Sequence, residues 1–137
     1  MLAAQYMFNW SNNIYQKHLY KKLKNYDRQS TTAAEYTYNC SEVDFALIKG
    51  EFEQIYPLVN HLYCFTPKNK ISIVIYDEQT QMQQIVHWQS KSVPMGIYWL
   101  GQIHVLAPSV WIFGREEERA CSFSLLGPMA HEYTHYV

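Results

Sequence analysis

Hydrophobic side chains recur three and four positions apart in several stretches of the chain, which is the spacing of one face of a helix. The longest such stretch begins after Ser41 and continues to about His61, so it predicts an amphipathic helix. Ser41 is placed to act as its N-cap and Asp44 to act as the acid of a capping box, and Pro57 is expected to kink the helix.

Other helices are expected towards both ends and in the middle of the chain. Residues 1–26 show helical spacing, and Asp77 can cap a helix that extends to about Trp88. The acidic run after Arg115 suits the positive N-terminus of a helix. Pro128 then either breaks that helix or begins a new one at its first position.

Shorter runs with alternating or β-branched side chains predict strands. The strongest is Ile71–Tyr76, and residues 33–39 form a second one. Residues 97–100 and 102–106 predict two strands that meet at Gly101 as a hairpin or a bent strand. The order of helices and strands predicts an α+β fold, with a mixed α/β fold as the alternative.

Length and composition favour one packed domain. The chain has 137 residues, of which 48% are hydrophobic and 17% are charged, which suits a buried core and argues against disorder. The polar stretch 27–32 predicts a linker, so we expect an N-terminal helical extension over residues 1–32 and a main domain over residues 33–137. The net charge of −1 argues against a general nucleic-acid-binding protein.

The start of the chain is apolar and then basic. Residues 1–8 lack the basic n-region of a complete signal peptide, which leaves open an anchor or membrane tether further upstream. No apolar run approaches the roughly 18–20 residues that a membrane span needs. A cluster of lysines is usually the solvated face of a helix, and contact with a membrane surface or an anionic partner is the alternative. The cluster comprises Lys17, Lys21, Lys22 and Lys24.

The cysteines do not indicate a metal site. They are widely spaced and form no CxxC pair, so a cysteine-based zinc site is not expected. Three buried thiols are favoured over one disulfide with one free thiol, and the residues concerned are Cys40, Cys64 and Cys121.

The motif that carries chemistry is His131-Glu132-Tyr133-Thr134-His135, an H-E-x-x-H sequence. Positions four apart in a helix lie on one face, so both imidazoles can bind one zinc ion without a bend in the backbone. Glu132 is placed to act as a general base towards water on the metal rather than as a ligand. Chance would produce this motif somewhere in such a chain with odds of about 2%, so we expect a zinc site here.

Catalytic zinc needs a third protein ligand. Nothing follows Val137, two residues after His135, so we expect the chain to be the N-terminal part of a longer catalytic domain, cut within its active-site helix. Upstream histidines are weaker candidates. His104 lies on a strand that leads towards the motif and is assigned to the wall of the cleft, while the others are His18, His61 and His87.

From residue 33 to Val137 the chain resembles the peptidase MA-like family of gluzincin zinc metallopeptidases. The resemblance rests on Ile71–Tyr76 after a long helix, on the segment 96–108, and above all on the H-E-x-x-H motif after Gly127-Pro128. It implies a zincin-like N-terminal lobe, in which a twisted mixed sheet packs on helices and the motif helix comes last.

The resemblance also implies roles for individual residues. His131 and His135 are the expected zinc ligands and Glu132 the general base, with a third ligand from a glutamate on a later helix. The strand over residues 102–106 is the expected edge strand, on which an extended peptide substrate binds by β-augmentation. Its substrate-binding residues are Gln102, Ile103, His104 and Val105. Similar proteins are often bacterial and membrane-tethered, which favours an extracytoplasmic or membrane-associated location.

The leading hypothesis is a zinc-dependent metallopeptidase that hydrolyses bonds in a peptide or protein substrate. Because the third ligand is missing, we expect these residues alone to be inactive, and we expect them to self-associate through an uncovered apolar face. The alternative is a non-catalytic interaction or surface module that retains a zincin lobe, which the aromatic content of 16% and the lysine cluster favour. A third hypothesis is metal binding by the two histidines without hydrolysis.

Overall fold

A mixed five-stranded sheet forms the centre of the computed structural model, which describes residues 14, 15 and 17–137. The strands are β1 (Asp27–Ser30), β2 (Ala34–Tyr38), β3 (Ile71–Tyr76), β4 (Gly96–Trp99) and β5 (Gln102–Leu106). The helices are α1 (Glu42–Leu62), α2 (Gln79–Val86), α3 (Pro108–Trp111), α4 (Glu116–Leu126) and α5 (Pro128–Tyr136). Residues 17–22 are also helical and are named the N-terminal helical segment. The predicted α+β fold is confirmed.

Parallel strands occupy the middle of the sheet, and antiparallel strands form its two edges. The spatial order is β1-β2-β3-β5-β4, in which β2, β3 and β5 are parallel to one another. At the edges, β1 pairs antiparallel with β2 and β4 pairs antiparallel with β5. The strand that the sequence analysis expected at the edge, β5, therefore lies inside the sheet.

Two separate cores cover the two faces of this sheet. Successive side chains of a strand point to opposite faces, so Ile73 and Ile103 belong to one core while Val74 and Leu106 belong to the other. The first core lies between the sheet and the helices α1 and α5. The second core lies between the sheet, α2 and the N-terminal helical segment.

The hairpin between β4 and β5 is confirmed, and its turn explains how the edge strand is formed. Trp99 pairs with Gln102, which leaves a two-residue loop of Leu100 and Gly101. Both loop residues have positive φ, at 47° and 80°, which is the conformation that matches the twist of a tight hairpin. The glycine adopts it without strain, and the chain returns as β5 next to β3.

The cap of α1 is confirmed, but its capping box is wrong. The hydroxyl of Ser41 accepts a hydrogen bond from the backbone N–H of Asp44 at 3.2 Å. The carboxylate of Asp44 is buried and accepts instead from the hydroxyl of Ser109, so it joins α1 to α3. Pro57 lies inside α1, which continues to Leu62.

The predicted linker over residues 27–32 is wrong, because Asp27–Ser30 form β1. All four side chains of β1 are exposed, so a polar sequence fits an edge strand as well as it fits a linker. Before it, Leu19 and Leu23 are buried in the second core. The described part of the predicted N-terminal extension therefore packs on the sheet, and the prediction for residues 1–13 and 16 lies outside the described residues.

Three smaller predictions are corrected or resolved. Asp77 accepts a hydrogen bond from the side chain of Asn39 and does not cap α2, whose N-cap is Glu78. Pro128 begins a new helix, because Gly127 in the left-handed conformation ends α4. The three cysteines are free, but only Cys40 is half-buried, while the other two thiols are exposed.

No helix in the described part of the chain combines the length and the apolar character that crossing a bilayer requires.

Candidate metal centre

The two histidines of the motif lie one turn apart on the exposed side of α5. Their Nε2 atoms are 3.3 Å apart, and the ring planes are inclined by 82°. Helix α5 begins at Pro128, only three residues before His131, so the motif occupies most of a short helix. The two imidazoles converge on one point in solvent-accessible space.

This geometry fits a zinc ion. Two nitrogen ligands at about 2.0–2.1 Å from one zinc ion with tetrahedral angles lie about 3.3–3.4 Å from each other. The observed distance of 3.3 Å matches that separation. In the described part of the chain, no group of three or more His, Cys, Asp or Glu side chains forms a complete metal site.

The opposite side of α5 fixes the helix to the first core. Tyr133 is fully buried, with its ring edge-on to Phe52 at 5.4 Å and stacked on Tyr56 at 5.5 Å between ring centroids. Its hydroxyl donates a hydrogen bond to the side-chain oxygen of Asn60. Because α1 supplies all three of these partners, α1 sets the direction in which the histidines point.

Glu132 lies between the histidine face and the sheet. Its side chain is buried, with 6% exposure, and packs directly against the backbone of Gly96 at the start of β4. Burial raises the pKa of the Glu132 carboxyl above its ordinary value, while the nearby His131 and His135 and the backbone amide of Tyr98 act in the opposite direction. The carboxylate is thus held at the edge strand.

The contact with Glu132 leaves little space for a side chain at position 96. A Cβ atom added there would lie 2.9 Å from Cγ of Glu132, which is closer than real Cβ contacts allow, and at a tight 3.2 Å from its Oε1. The sequence analysis quoted this glycine only as part of a longer segment. A glycine within a strand pattern, which often marks a close approach by another group, was the signal that could have identified it.

The predicted substrate-binding strand is corrected by the sheet order. Gln102, Ile103, His104 and Val105 lie in β5, whose backbone is paired with β3 on one side and with β4 on the other. Their side chains are buried, with exposures of 0–1%. An interior strand offers no free N–H or C=O groups, so β-augmentation cannot occur there. The edge strand next to α5 is β4, which begins at Gly96.

His104 is not part of the wall of the cleft. Its ring lies on the face of the sheet opposite to α5 and stacks against Tyr76, whose hydroxyl is 2.8 Å from Nδ1 of His104. Its Nε2 is buried and has no hydrogen-bond partner in the described part of the chain. The other upstream histidines, His18, His61 and His87, are exposed and do not join the pair on α5.

The buried position of His104 predicts sensitivity to acid. Burial lowers the pKa of His104 from 6.5 to about 3. Between these two values the imidazole therefore binds a proton in the unfolded chain but not in the folded protein. Between about pH 6.5 and pH 3, the free energy of unfolding should therefore fall as pH falls, by up to about 1.4 kcal/mol per pH unit. Replacement by Gln, whose oxygen can still accept from Tyr76, should remove this slope in urea unfolding measured across that range.

His18→Gln is the matched control for that measurement, because it makes the same substitution at an exposed histidine. If His104→Gln left the pH dependence of unfolding as steep as in the parent chain, the neutral buried state of His104 would be wrong.

Comparison of the chain with protein-family models, with curated protein sequences and with solved structures finds no match.

Proposed function

We propose that this chain carries the zinc-binding helix of a metallopeptidase. The observation that supports it is the pairing of two converging imidazoles, 3.3 Å apart, with a buried carboxylate on the next residue. A pair of histidines alone occurs on many helices. Hydrolysis also requires a general base, and the buried Glu132 carboxylate beside the pair can supply it.

Each residue of the motif has a separate task in the proposed reaction. His131 and His135 hold the metal, which when bound supplies Lewis acidity towards a carbonyl oxygen and towards water. Glu132 acts as the general base: its carboxylate takes a proton from the attacking water and then delivers a proton to the leaving amine nitrogen. Because Glu132 packs against Gly96, its carboxylate stays at the strand where the substrate is proposed to bind.

The substrate is proposed to be an extended peptide that pairs with β4. This strand is an edge of the sheet, and its residue Tyr98 contacts Tyr136 of α5, with ring centroids 6.0 Å apart. A peptide added to β4 through backbone hydrogen bonds would therefore run past Glu132. The proposal keeps β-augmentation from the sequence analysis but assigns it to β4 in place of β5.

The third zinc ligand completes the proposal and is assigned, by the resemblance to gluzincins, to a glutamate that is not among the described residues. Three protein ligands with an open fourth position are the arrangement of catalytic zinc. The resemblance also assigns the zincin-like lobe and an extracytoplasmic or membrane-associated location, and both are part of this proposal.

The experiment that tests this function is metal-dependent peptide cleavage by a protein that contains this chain and its third ligand. A mixed peptide library is incubated with the zinc-loaded protein and analysed by mass spectrometry, with and without a zinc chelator. We expect cleavage that disappears on chelation and returns when zinc is restored. Equal cleavage with and without the chelator, or none with zinc, would contradict the proposal.

Gly96→Ala tests the contact between β4 and Glu132 within the same assay. The added methyl group must displace Glu132, and a misplaced catalytic group lowers rates by about tenfold to a hundredfold. Zinc affinity should hardly change, because neither histidine contacts Gly96 in this way. Gly50→Ala is the matched control, since a Cβ there meets nothing within 4 Å. Equal rates for the two variants would contradict the positioning role of Gly96.

A further inference from the structure

The charges of this protein are divided sharply along the chain. Four of its eleven basic residues and none of its twelve acidic residues lie in residues 1–26, which therefore carry a net charge of +4. The remainder, residues 27–137, carries a net charge of −5. The overall charge of −1 does not reveal that residues 1–26 are strongly basic.

The fold leaves the side chains of these four lysines exposed. Leu19 of the N-terminal helical segment and Leu23 directly after it are buried in the second core. Lys17 and Lys21, also four residues apart, lie on the opposite, exposed side of the helix. Arg28 of β1 adds a further cation, since its guanidinium lies 4.6 Å from the ring centroid of Tyr20. The basic surface defined here consists of the exposed side chains of Lys17, Lys21, Lys22, Lys24 and Arg28.

An apolar groove opens beside this basic surface. It has a volume of about 480 Å³ and lies between residues 14–22 and the end of α2; the residues that line it are Ile14, Tyr15, His18, Leu19, Lys22, Ile85 and His87. Its buried lining includes Leu19 and Ile85, and the more exposed side chains around it include Ile14, Lys22 and His87. An anionic amphiphile can contact both features, because its charged headgroup binds positive charge and its apolar chain packs against apolar surface.

We propose that the basic surface and this groove bind the surface of an anionic lipid membrane. The lysines contact lipid phosphates, and the groove receives apolar acyl-chain segments near the headgroups. Nucleic acid also offers phosphates, but it has no acyl chain for the groove, and the net charge of −5 on the rest of the protein would repel it along its length. The sequence before the segment agrees with a lipid partner: residues 1–13 contain no charged side chain but include Tyr6, Phe8 and Trp10.

Membrane binding in this manner also orients the molecule. The N-terminal helical segment covers one face of the sheet and α5 covers the other. The sheet therefore lies between the bilayer and the histidine pair, which faces the aqueous side. This inference does not depend on the proposed peptidase function, because it uses none of the residues of the motif.

The test is binding of the whole chain to lipid vesicles, measured by co-sedimentation. Vesicles of phosphatidylglycerol and phosphatidylcholine in equal parts are compared with vesicles of phosphatidylcholine alone, at low and at high salt. We expect binding to the anionic vesicles only, weakened by salt. Each lysine near an anionic surface contributes about fivefold to partitioning, so replacing four should lower it by about a hundredfold or more. The variant carries Lys17→Gln, Lys21→Gln, Lys22→Gln and Lys24→Gln.

The chain offers a control with an equal change of charge, because its other four lysines lie elsewhere. That variant carries Lys49→Gln, Lys68→Gln, Lys70→Gln and Lys91→Gln, and it should bind as the parent chain does. Circular dichroism establishes that both variants are folded. Equal losses in the two variants, equal binding to uncharged vesicles, or no binding to anionic vesicles would overturn the proposal.

Two further measurements separate lipid from other anions and test the groove. Double-stranded DNA should compete poorly for the protein, and competition as strong as that of anionic vesicles would overturn the choice of a lipid partner. Ile14→Ser should lower the binding that persists at high salt, whereas Val43→Ser, an exposed apolar residue on α1, should not. Equal effects of these two substitutions would overturn the role of the groove.

Discussion

Replacing Glu132 with glutamine is expected to lower the rate of zinc-dependent peptide cleavage by about a hundredfold to ten-thousandfold. The amide keeps the size of the side chain and its contact with Gly96, but it cannot accept a proton from water. Zinc binding should hardly change, because the carboxylate packs against β4 and is not assigned as a ligand. The measurement combines initial rates from the peptide assay with the dissociation constant for zinc.

Glu116→Gln is the matched control for this prediction. Glu116 lies in the exposed first turn of α4, so the same change of charge there should leave the cleavage rate within about twofold. A Glu132→Gln variant that cleaves peptides as fast as the parent protein would exclude a general-base role for Glu132. A variant that loses zinc together with activity would instead make Glu132 a ligand.

Replacing Tyr133 with alanine is expected to lower the free energy of unfolding by about 3–5 kcal/mol. The substitution removes a fully buried ring that packs on Phe52, Tyr56 and Tyr136. It also removes the partner of Asn60. Urea unfolding followed by circular dichroism measures the change in free energy. The histidine pair should also lose its fixed direction, because α5 is no longer held against α1.

Tyr133→Phe separates packing from hydrogen bonding. It retains the ring contacts and should lower the free energy of unfolding by only about 1 kcal/mol. Tyr63→Ala, on a residue that is 54% exposed, should have almost no effect. If Tyr133→Ala destabilised the protein no more than Tyr63→Ala does, the anchoring of α5 by this ring would be wrong.

Local patterns in the sequence identified most helices and strands because each pattern has a local physical cause. The spacing of apolar residues predicted α1, and the β-branched run predicted β3 with its bounds. Gly101 between two short strands predicted the hairpin of β4 and β5. Ser41 was identified as a cap because its hydroxyl needs only a neighbour three residues away.

The order of strands in the sheet could not be predicted in the same way. Whether β5 or β4 lies at the edge depends on which strand pairs with β3, a contact between residues about thirty positions apart. The sequence analysis placed β5 at the edge only because the resemblance to gluzincins implied it, although β5 contains the polar residues Gln102 and His104. In the structure these two side chains instead hydrogen-bond to Ser72 and Tyr76 of β3 within the buried sheet.

Only the part of the candidate site that lies within α5 could be predicted from the sequence. The spacing of His131 and His135 placed both imidazoles on one face, and their Nε2 atoms lie 3.3 Å apart. The contact of Glu132 with Gly96 joins residues that are distant in sequence and depends on how α5 packs beside β4. The polarity of β1 was likewise ambiguous, since an exposed edge strand and a linker share the same composition.

The most direct test of the central claim is zinc binding by this chain, measured by calorimetry at neutral pH. We expect binding by the parent chain that His135→Ala weakens by about a hundredfold or more, since even outer-shell partners of a metal ligand contribute about tenfold to a hundredfold. His18→Ala, on the other face of the sheet, should bind zinc as the parent chain does. If the chain without His135 bound zinc as tightly as the unsubstituted chain does, the histidine pair would not be the metal centre.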